Sequence, residues 1–265
     1  MTDTLNIAGS QVFIEGSGPR TIVMLHGWPD THALWRAQVD FLKHHYTCVS
    51  FTMPGFAPED QTNHTLDDIV QRIGAIVDGV ASDRKVILLA HDWGCVFGYE
   101  YAMRHSGRIE SMIGLDVGDV SSDAFQQSLS LAGKLMIFSY QVCLAISFVA
   151  PRLIGNPMAR GMARALRAKS VRTQIHVGMS MPYAMRWLGV NGGLKHLLAM
   201  QPSFPFYYGY ATQKPVMFHS SEWLEALRVN PDNRIEPFHC GHWIPVDAAD
   251  ALNASLANWL DDSGL

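Results

Sequence analysis

Short continuous runs of apolar residues recur along the first half of the chain, with stretches of helical periodicity between them. Ile69, Ile73 and Ile76 give residues 66–80 the spacing of a helix. Apolar runs of this length are typical of strands buried on both faces, and they predict strands at 21–25, 46–51, 86–90 and 109–115. The alternation predicts an α/β fold with a mostly parallel sheet covered by helices on both faces.

The beginning of the chain carries two β-rich runs, at 11–14 and 21–25. They are separated by Gly16-Ser17-Gly18-Pro19, a segment typical of a turn. We therefore predict a hairpin that leads into the buried strand at 21–25.

The pattern changes between residues 118 and 200. This stretch is rich in Met, Ala, Arg and Leu, has mostly helical spacing, and is broken by prolines and glycines. Strand-like runs return at 204–208 and 234–238. A helical cap at 118–200, inserted between core segments 1–117 and 201–265, is the simplest explanation.

Composition narrows the class of protein. The chain has 265 residues, of which 48% are hydrophobic, so it can bury a substantial core. The net charge is -4 and no run of Lys or Arg stands out, which argues against a nucleic-acid partner. The most apolar stretch, 135–150, is short for a membrane span. We expect no transmembrane segment and a buried or lid helix there, with contact at a membrane surface as an alternative.

The N-terminal segment and the cysteines indicate where in the cell the protein is found. The N-terminus lacks the basic and apolar regions of a signal peptide, and the four cysteines are scattered without a CxxC pair. These features favour a cytoplasmic protein with reduced thiols and no cysteine metal site. A homo-oligomer is compatible with the sequence.

The most informative motif is the run Lys85–Gly94. An apolar strand ends in Ala90, Asp92 follows two residues later, and then Gly94. This is the pattern of a nucleophile elbow, in which a sharp turn between strand and helix exposes one side chain. A carboxylate at the tip implies a covalent ester to carbon. The alternative is an ordinary aspartate at a helix N-terminus.

Two further strings can complete such a site. His26-Gly27-Trp28-Pro29 follows the strand at 21–25, and the backbone N–H groups of Trp28 and Trp93 can form an oxyanion hole. His242 follows the last predicted strand, and strand ends of parallel sheets collect active sites at one edge. Taken singly, the first string is typical of a plain turn and the histidine of a packing residue.

In this order the motifs resemble the α/β-hydrolase superfamily, in its epoxide hydrolase and haloalkane dehalogenase branch. The resemblance covers nearly the whole chain and adds Pro54-Gly55-Phe56 and Gly241-His242-Trp243. It is closest to epoxide hydrolases, because dehalogenases often carry Asn in place of Trp28.

The resemblance implies a two-step hydrolase that needs no cofactor and no metal. Asp92 attacks a carbon of a small hydrophobic substrate, and His242 then activates the water that cleaves the ester. Family members protonate the opening epoxide with tyrosines of the cap. Tyr140 and Tyr183 are the two tyrosines of the predicted cap, and Tyr140 is preferred slightly as the donor.

The third member of the catalytic triad departs from the common pattern. Many relatives carry an Asp shortly after the next-to-last strand, but Tyr208-Gly209 is followed by Tyr210-Ala211-Thr212-Gln213. Some dehalogenases place the acid after the strand that follows the elbow helix. Asp116 stands there and is preferred, because a carboxylate at the end of an apolar strand is costly unless it is paired. Asp119 and Glu222 are the alternatives.

Three functions are therefore open. The leading one is an epoxide hydrolase that forms a vicinal diol. The second is a haloalkane dehalogenase, in which the indole N–H of Trp93 would hold the departing halide. The third is a ligand-binding protein of the same fold without catalysis, against which the presence of both Asp92 and His242 argues.

Overall fold

Eight strands form one sheet in the computed structural model, which describes residues 2–60 and 62–265. The strands are β1 Thr2–Ile7, β2 Ser10–Glu15, β3 Thr21–Leu25, β4 Thr47–Phe51, β5 Val86–His91, β6 Ile109–Leu115, β7 Phe206–Ala211 and β8 Arg234–Phe238. Their order across the sheet is β1-β2-β4-β3-β5-β6-β7-β8. The pairs β1–β2 and β2–β4 are antiparallel, and every other pair is parallel.

The predicted hairpin between residues 11–14 and 21–25 is wrong. β2 pairs instead with β1, across a turn in which Ala8 and Gly9 both have positive φ, and with β4. β3 lies between β4 and β5, near the middle of the sheet. Every residue of β3 is buried, and only a central strand of a doubly covered sheet offers burial on both faces.

Helices cover both faces of the sheet. They are α1 Arg36–Leu42, α2 Leu66–Ala81, α3 Trp93–Arg104, α4 Asp123–Ser128, α5 Leu131–Val149, α6 Arg152–Ala165, α7 Met181–Leu188, α8 Ser221–Arg228, α9 Ile244–Asp247 and α10 Ala249–Asp262. α2 and α3 contribute to the core on one face, and α1 and α10 to the core on the other. The predicted α/β architecture with a mostly parallel sheet is confirmed.

Helices α4 to α7 all lie between β6 and β7, and we call residues 118–200 the helical insertion. α5 is its longest element and packs against α6 and α7. Within the described ranges, α5 alone is long and apolar enough to cross a membrane by length and composition. The division of the chain at residues 117 and 200 stays a prediction.

Candidate active site

Asp92 occupies a sharp turn between β5 and α3. Its φ of 54° and ψ of −124° lie in a region that non-glycine residues rarely adopt. Two glycines let this turn approach the loop after β3. A Cβ atom on Gly94 would lie 2.1 Å from the carbonyl oxygen of Leu25, and one on Gly27 would lie 2.3 Å from Oδ1 of Asp92. Both distances are too short for any side chain, so the sequence requires glycine at both positions.

Two backbone N–H groups lie at the Asp92 carboxylate. The N–H of Trp28 donates a hydrogen bond of 2.6 Å to Oδ1. The N–H of Trp93 also faces the carboxylate and helps to lower its pKa. The two donors predicted from the sequence therefore lie at the same carboxylate. This is the arrangement that stabilises negative charge on an oxygen.

His26 holds the loop that carries Trp28. Its Nε2 accepts a hydrogen bond of 2.9 Å from the N–H of Met53, so its Nδ1–H donates to the carbonyl of Gly27 at 3.0 Å. Burial lowers the pKa of His26 to about 4, which keeps the ring neutral and preserves this pattern at ordinary pH.

His242 lies between two carboxylates. Its Nδ1–H donates to Oδ2 of Asp116 at 2.5 Å, and its Nε2 lies 3.3 Å from Oδ2 of Asp92. The structure thus brings the predicted nucleophile, base and preferred acid into one chain of contacts. The carboxyl ends of β5 and β6 and the loop after β8 supply the three side chains.

The charges of these groups depend strongly on each other. Burial by itself would lower the pKa of His242, but the hydrogen bonds to Asp116 and Asp92 outweigh it and raise this pKa to about 9. Burial would raise the pKa of Asp92, and the hydrogen bond to His242 reverses that shift. At neutral pH, His242 is therefore an imidazolium between two ionised carboxylates.

The three candidate acids have different surroundings. Asp116 is fully buried, and its Oδ1 accepts a hydrogen bond of 2.7 Å from the N–H of Ala211. Asp119 instead accepts hydrogen bonds from the N–H and hydroxyl of Ser220, at 2.7 and 2.6 Å. Glu222 is exposed in the first turn of α8. Of the three carboxylates, Asp116 is the one that reaches His242.

Lys214 is a residue of the site that sequence reasoning missed. Its side chain is 6% exposed, and its Nζ donates to Oδ1 of Asp116 at 2.5 Å and lies 4.6 Å from the ring centre of Phe218. The sequence indicates this residue only indirectly. After Gly209 the carboxylate of the usual triad acid is absent, and Lys214 follows five residues later. Lys214 and His242 together balance the two buried carboxylates.

We expect Lys214→Met to destabilise the fold and to shift the pH profile of turnover. Removing one partner of a buried ion pair costs about 3 kcal/mol of unfolding free energy. The loss of a cation near His242 also raises its pKa, so the acidic limb of the profile moves to higher pH. Urea denaturation and the pH dependence of kcat measure the two effects.

Two matched variants control this experiment. Lys214→Arg keeps the charge and should preserve the pH profile. Lys43→Met removes a half-buried lysine that pairs with Asp40, and should cost less than about 1 kcal/mol. A Lys214→Met variant with wild-type stability and an unshifted profile would contradict the role given to this lysine.

Two further buried groups hold the loop of His242. Nε2–H of His91 donates to the backbone carbonyl of His242 at 2.9 Å. Burial lowers the pKa of His91 to about 4, so the ring adds no charge. Asp30 accepts a hydrogen bond of 3.0 Å from the indole of Trp243 and another from the hydroxyl of Ser170 in the insertion. His91 and Asp30 are thus positioning residues, which the sequence pattern did not distinguish from packing residues.

Two cavities at Asp92 reach Tyr140 and Tyr183. One has a volume of about 330 Å³ and the other about 590 Å³, and both are lined by these three residues. The hydroxyl of Tyr140 accepts a hydrogen bond of 3.0 Å from Gln141, which leaves its own proton free to be donated. The Tyr183 ring packs edge-on against Trp93, with ring centres 5.2 Å apart.

Both tyrosines keep their protons. Burial raises the pKa of Tyr140 and Tyr183 above the ordinary value. Each hydroxyl is therefore available as a donor at neutral pH.

Across residues 2–60 and 62–265, no group of three or more His, Cys, Asp or Glu side chains is arranged to hold a metal ion.

Known proteins resemble this chain in both sequence and fold. Epoxide hydrolase 2 of Caenorhabditis elegans is 29% identical over 96 residues, covering 35% of this chain and 27% of that protein. Epoxide hydrolase 3 of Mus musculus is 25% identical over 143 residues, covering 52% and 38%. The chain thus matches less than half the length of these relatives.

Solved structures share the fold over the whole chain. An epoxide hydrolase of Bacillus megaterium in complex with an inhibitor superimposes with a TM-score of 0.75 at 17% identity, covering 98% of this chain and 100% of that one. A sequence model of the alpha/beta hydrolase family matches residues 22–255. The match takes in Asp92, Asp116 and His242. This chain therefore belongs to the alpha/beta hydrolase family.

Proposed function

We propose that this protein is an epoxide hydrolase that opens a hydrophobic epoxide to a vicinal diol through an ester on Asp92. The observation that carries the proposal is the placement of two protonated tyrosines in the cavities that contain Asp92. A nucleophile needs no such donors unless the leaving oxygen must be protonated.

In the first step, Oδ2 of Asp92 attacks one carbon of the epoxide ring. Trp28 holds Oδ1 by its N–H, so Oδ2 is the oxygen left for the attack. The carbon–oxygen bond of the ring breaks, and the epoxide oxygen takes a proton from Tyr140 or Tyr183. The product of this step is a hydroxyalkyl ester of Asp92.

The second step follows from the charges around His242. Esterification removes the negative charge of Asp92, one of the two carboxylates that raise the pKa of His242. His242 then gives up its proton, which passes through solvent to the tyrosinate left by the first step, and His242 becomes a base. Its Nε2 takes a proton from the water that attacks the ester carbonyl, and the resulting negative charge develops on Oδ1 beside Trp28 and Trp93. Collapse of this intermediate releases the diol and restores the Asp92 carboxylate.

A haloalkane dehalogenase is the second candidate, because Trp93 lines the smaller cavity directly beside the nucleophile. A departing halide takes an indole N–H but needs no proton. The two reactions therefore make different demands on the tyrosines. Diol formation and halide release, measured over one panel of epoxides and haloalkanes, separate the two candidates.

We expect Tyr140→Phe and Tyr183→Phe each to slow diol formation, and the double variant to lose about 10³-fold. The reason is the loss of general acid catalysis to the opening ring. Single-turnover measurement of epoxide consumption reports this step directly. Tyr207→Phe is the matched control, since Tyr207 is buried outside the cavities and bonds Ser255. The dehalogenase would be favoured if the wild type releases halide but forms no diol, and if the double variant releases halide at the same rate.

A further inference from the structure

The outer side of α5 exposes a row of apolar side chains at helical spacing. It continues from α5 into the start of α6, and we call it the apolar face: Leu131, Leu135, Phe138, Ile146, Val149 and Leu153. Leu131 is 75% exposed and Leu153 is 89% exposed. A surface helix normally directs its polar side toward water. An exposed apolar row of this kind therefore indicates a surface that contacts a partner or a membrane.

The segment that carries the apolar face is strongly basic. Residues 124–221 contain ten Lys and Arg and not one Asp or Glu, in a chain whose net charge is -4. Of these ten, Lys169 and Lys214 form ion pairs, and no other does in the part of the chain that the structure describes. Lys134 and Arg152 are exposed on the same stretch of α5 and α6 as the apolar side chains.

The apolar face also adjoins the smaller cavity at Asp92. Leu135 and Phe138 line that cavity and are exposed to solvent. Trp187 lies edge-on to Phe138, with ring centres 5.2 Å apart, and is likewise both exposed and part of the lining. The mouth of the cavity therefore lies within the apolar face.

We propose that the apolar face docks this protein onto the surface of an anionic lipid membrane. The apolar row enters the boundary between headgroups and acyl chains, and Lys134 and Arg152, which are exposed on the same helices, bind the acidic headgroups. In this pose the mouth of the cavity faces the acyl chains, where an apolar substrate dissolves. That last consequence rests on the proposed function, but the docking itself does not.

Other occupants fit the face less well. A second copy of the chain would bring two basic surfaces together, which is electrostatically unfavourable. A helix α5 that crossed the membrane would leave its packing against α6 and α7, and would carry Tyr140 away from Asp92. A helix lying in the interface keeps both arrangements.

Flotation of the 265-residue chain with lipid vesicles tests the proposal. We expect binding to vesicles of phosphatidylcholine mixed with phosphatidylglycerol, weaker binding to phosphatidylcholine alone, and weaker binding at high salt. Leu153→Ser should lower the affinity about tenfold, the scale of one buried apolar side chain. Val229→Ser is the matched control, because Val229 is 82% exposed but lies outside the insertion. Neither variant should change the turnover of a water-soluble epoxide.

Three results would overturn the proposal. The first is the absence of binding to the anionic vesicles at low salt, and the second is an equal loss of binding in both variants. The third is a concentration-dependent dimer that Leu153→Ser dissociates, without vesicle binding, which would assign the face to a second copy. The assay measures binding and not turnover, so failure of the epoxide proposal would leave its outcome unaffected.

Discussion

Asp116→Asn is expected to lower kcat for diol formation by about 10³- to 10⁴-fold, the scale of the same change in a serine-protease triad. Asp116 accepts the Nδ1–H of His242 with one oxygen and the N–H of Ala211 with the other. An asparagine can accept only one of these hydrogen bonds, because its amide nitrogen is a donor. The imidazole then loses the orientation that directs Nε2 toward the ester. Steady-state diol formation at saturating epoxide measures the loss.

The other candidate acids supply the controls. Asp119→Asn and Glu222→Gln remove a charge from the same part of the chain without touching His242. We expect each to leave kcat within about threefold of the wild type, as for residues outside the reacting groups. A larger loss in either variant than in Asp116→Asn would show that the wrong carboxylate has been assigned.

His242→Gln is expected to separate the two steps of the reaction. Attack by Asp92 does not need the imidazole as a base, so one equivalent of epoxide should be consumed. Release of diol should then fall by about 10⁴-fold or more, because no group remains to take a proton from water. A rapid-quench time course shows this as a burst of epoxide consumption without diol. Equal loss of both steps would contradict the roles given to the two residues.

Asp92, His242 and Trp28 could be located from the sequence because each stands at a recognisable place in the fold. A short strand followed by Asp92 and Gly94 specifies a turn by local chemistry alone. His242 and Trp28 follow strands, and the carboxyl ends of parallel strands meet at one edge. Local pattern and sheet geometry were together sufficient to predict that these three residues lie together.

Contacts between segments that are distant in the sequence could not be predicted in this way. Lys214 and Asp116 lie 98 positions apart, and only the parallel pairing of β6 and β7 brings them together. The predicted hairpin failed for a related reason. The segment Gly16-Ser17-Gly18-Pro19 resembles a turn, but the burial of β3 on both faces decided its place in the sheet. Sequence periodicity predicts which faces of a strand are buried, but it does not predict which other strand pairs with it.

Covalent catalysis by Asp92 can be tested by the intact mass of His242→Gln after incubation with a hydrophobic aryl epoxide such as styrene oxide. We expect an increase by the mass of one epoxide molecule, located on the peptide that contains Asp92. The double variant Asp92→Ala/His242→Gln should show no increase. An unmodified His242→Gln protein across epoxides and haloalkanes, or an adduct that persists without Asp92, would contradict covalent catalysis by Asp92.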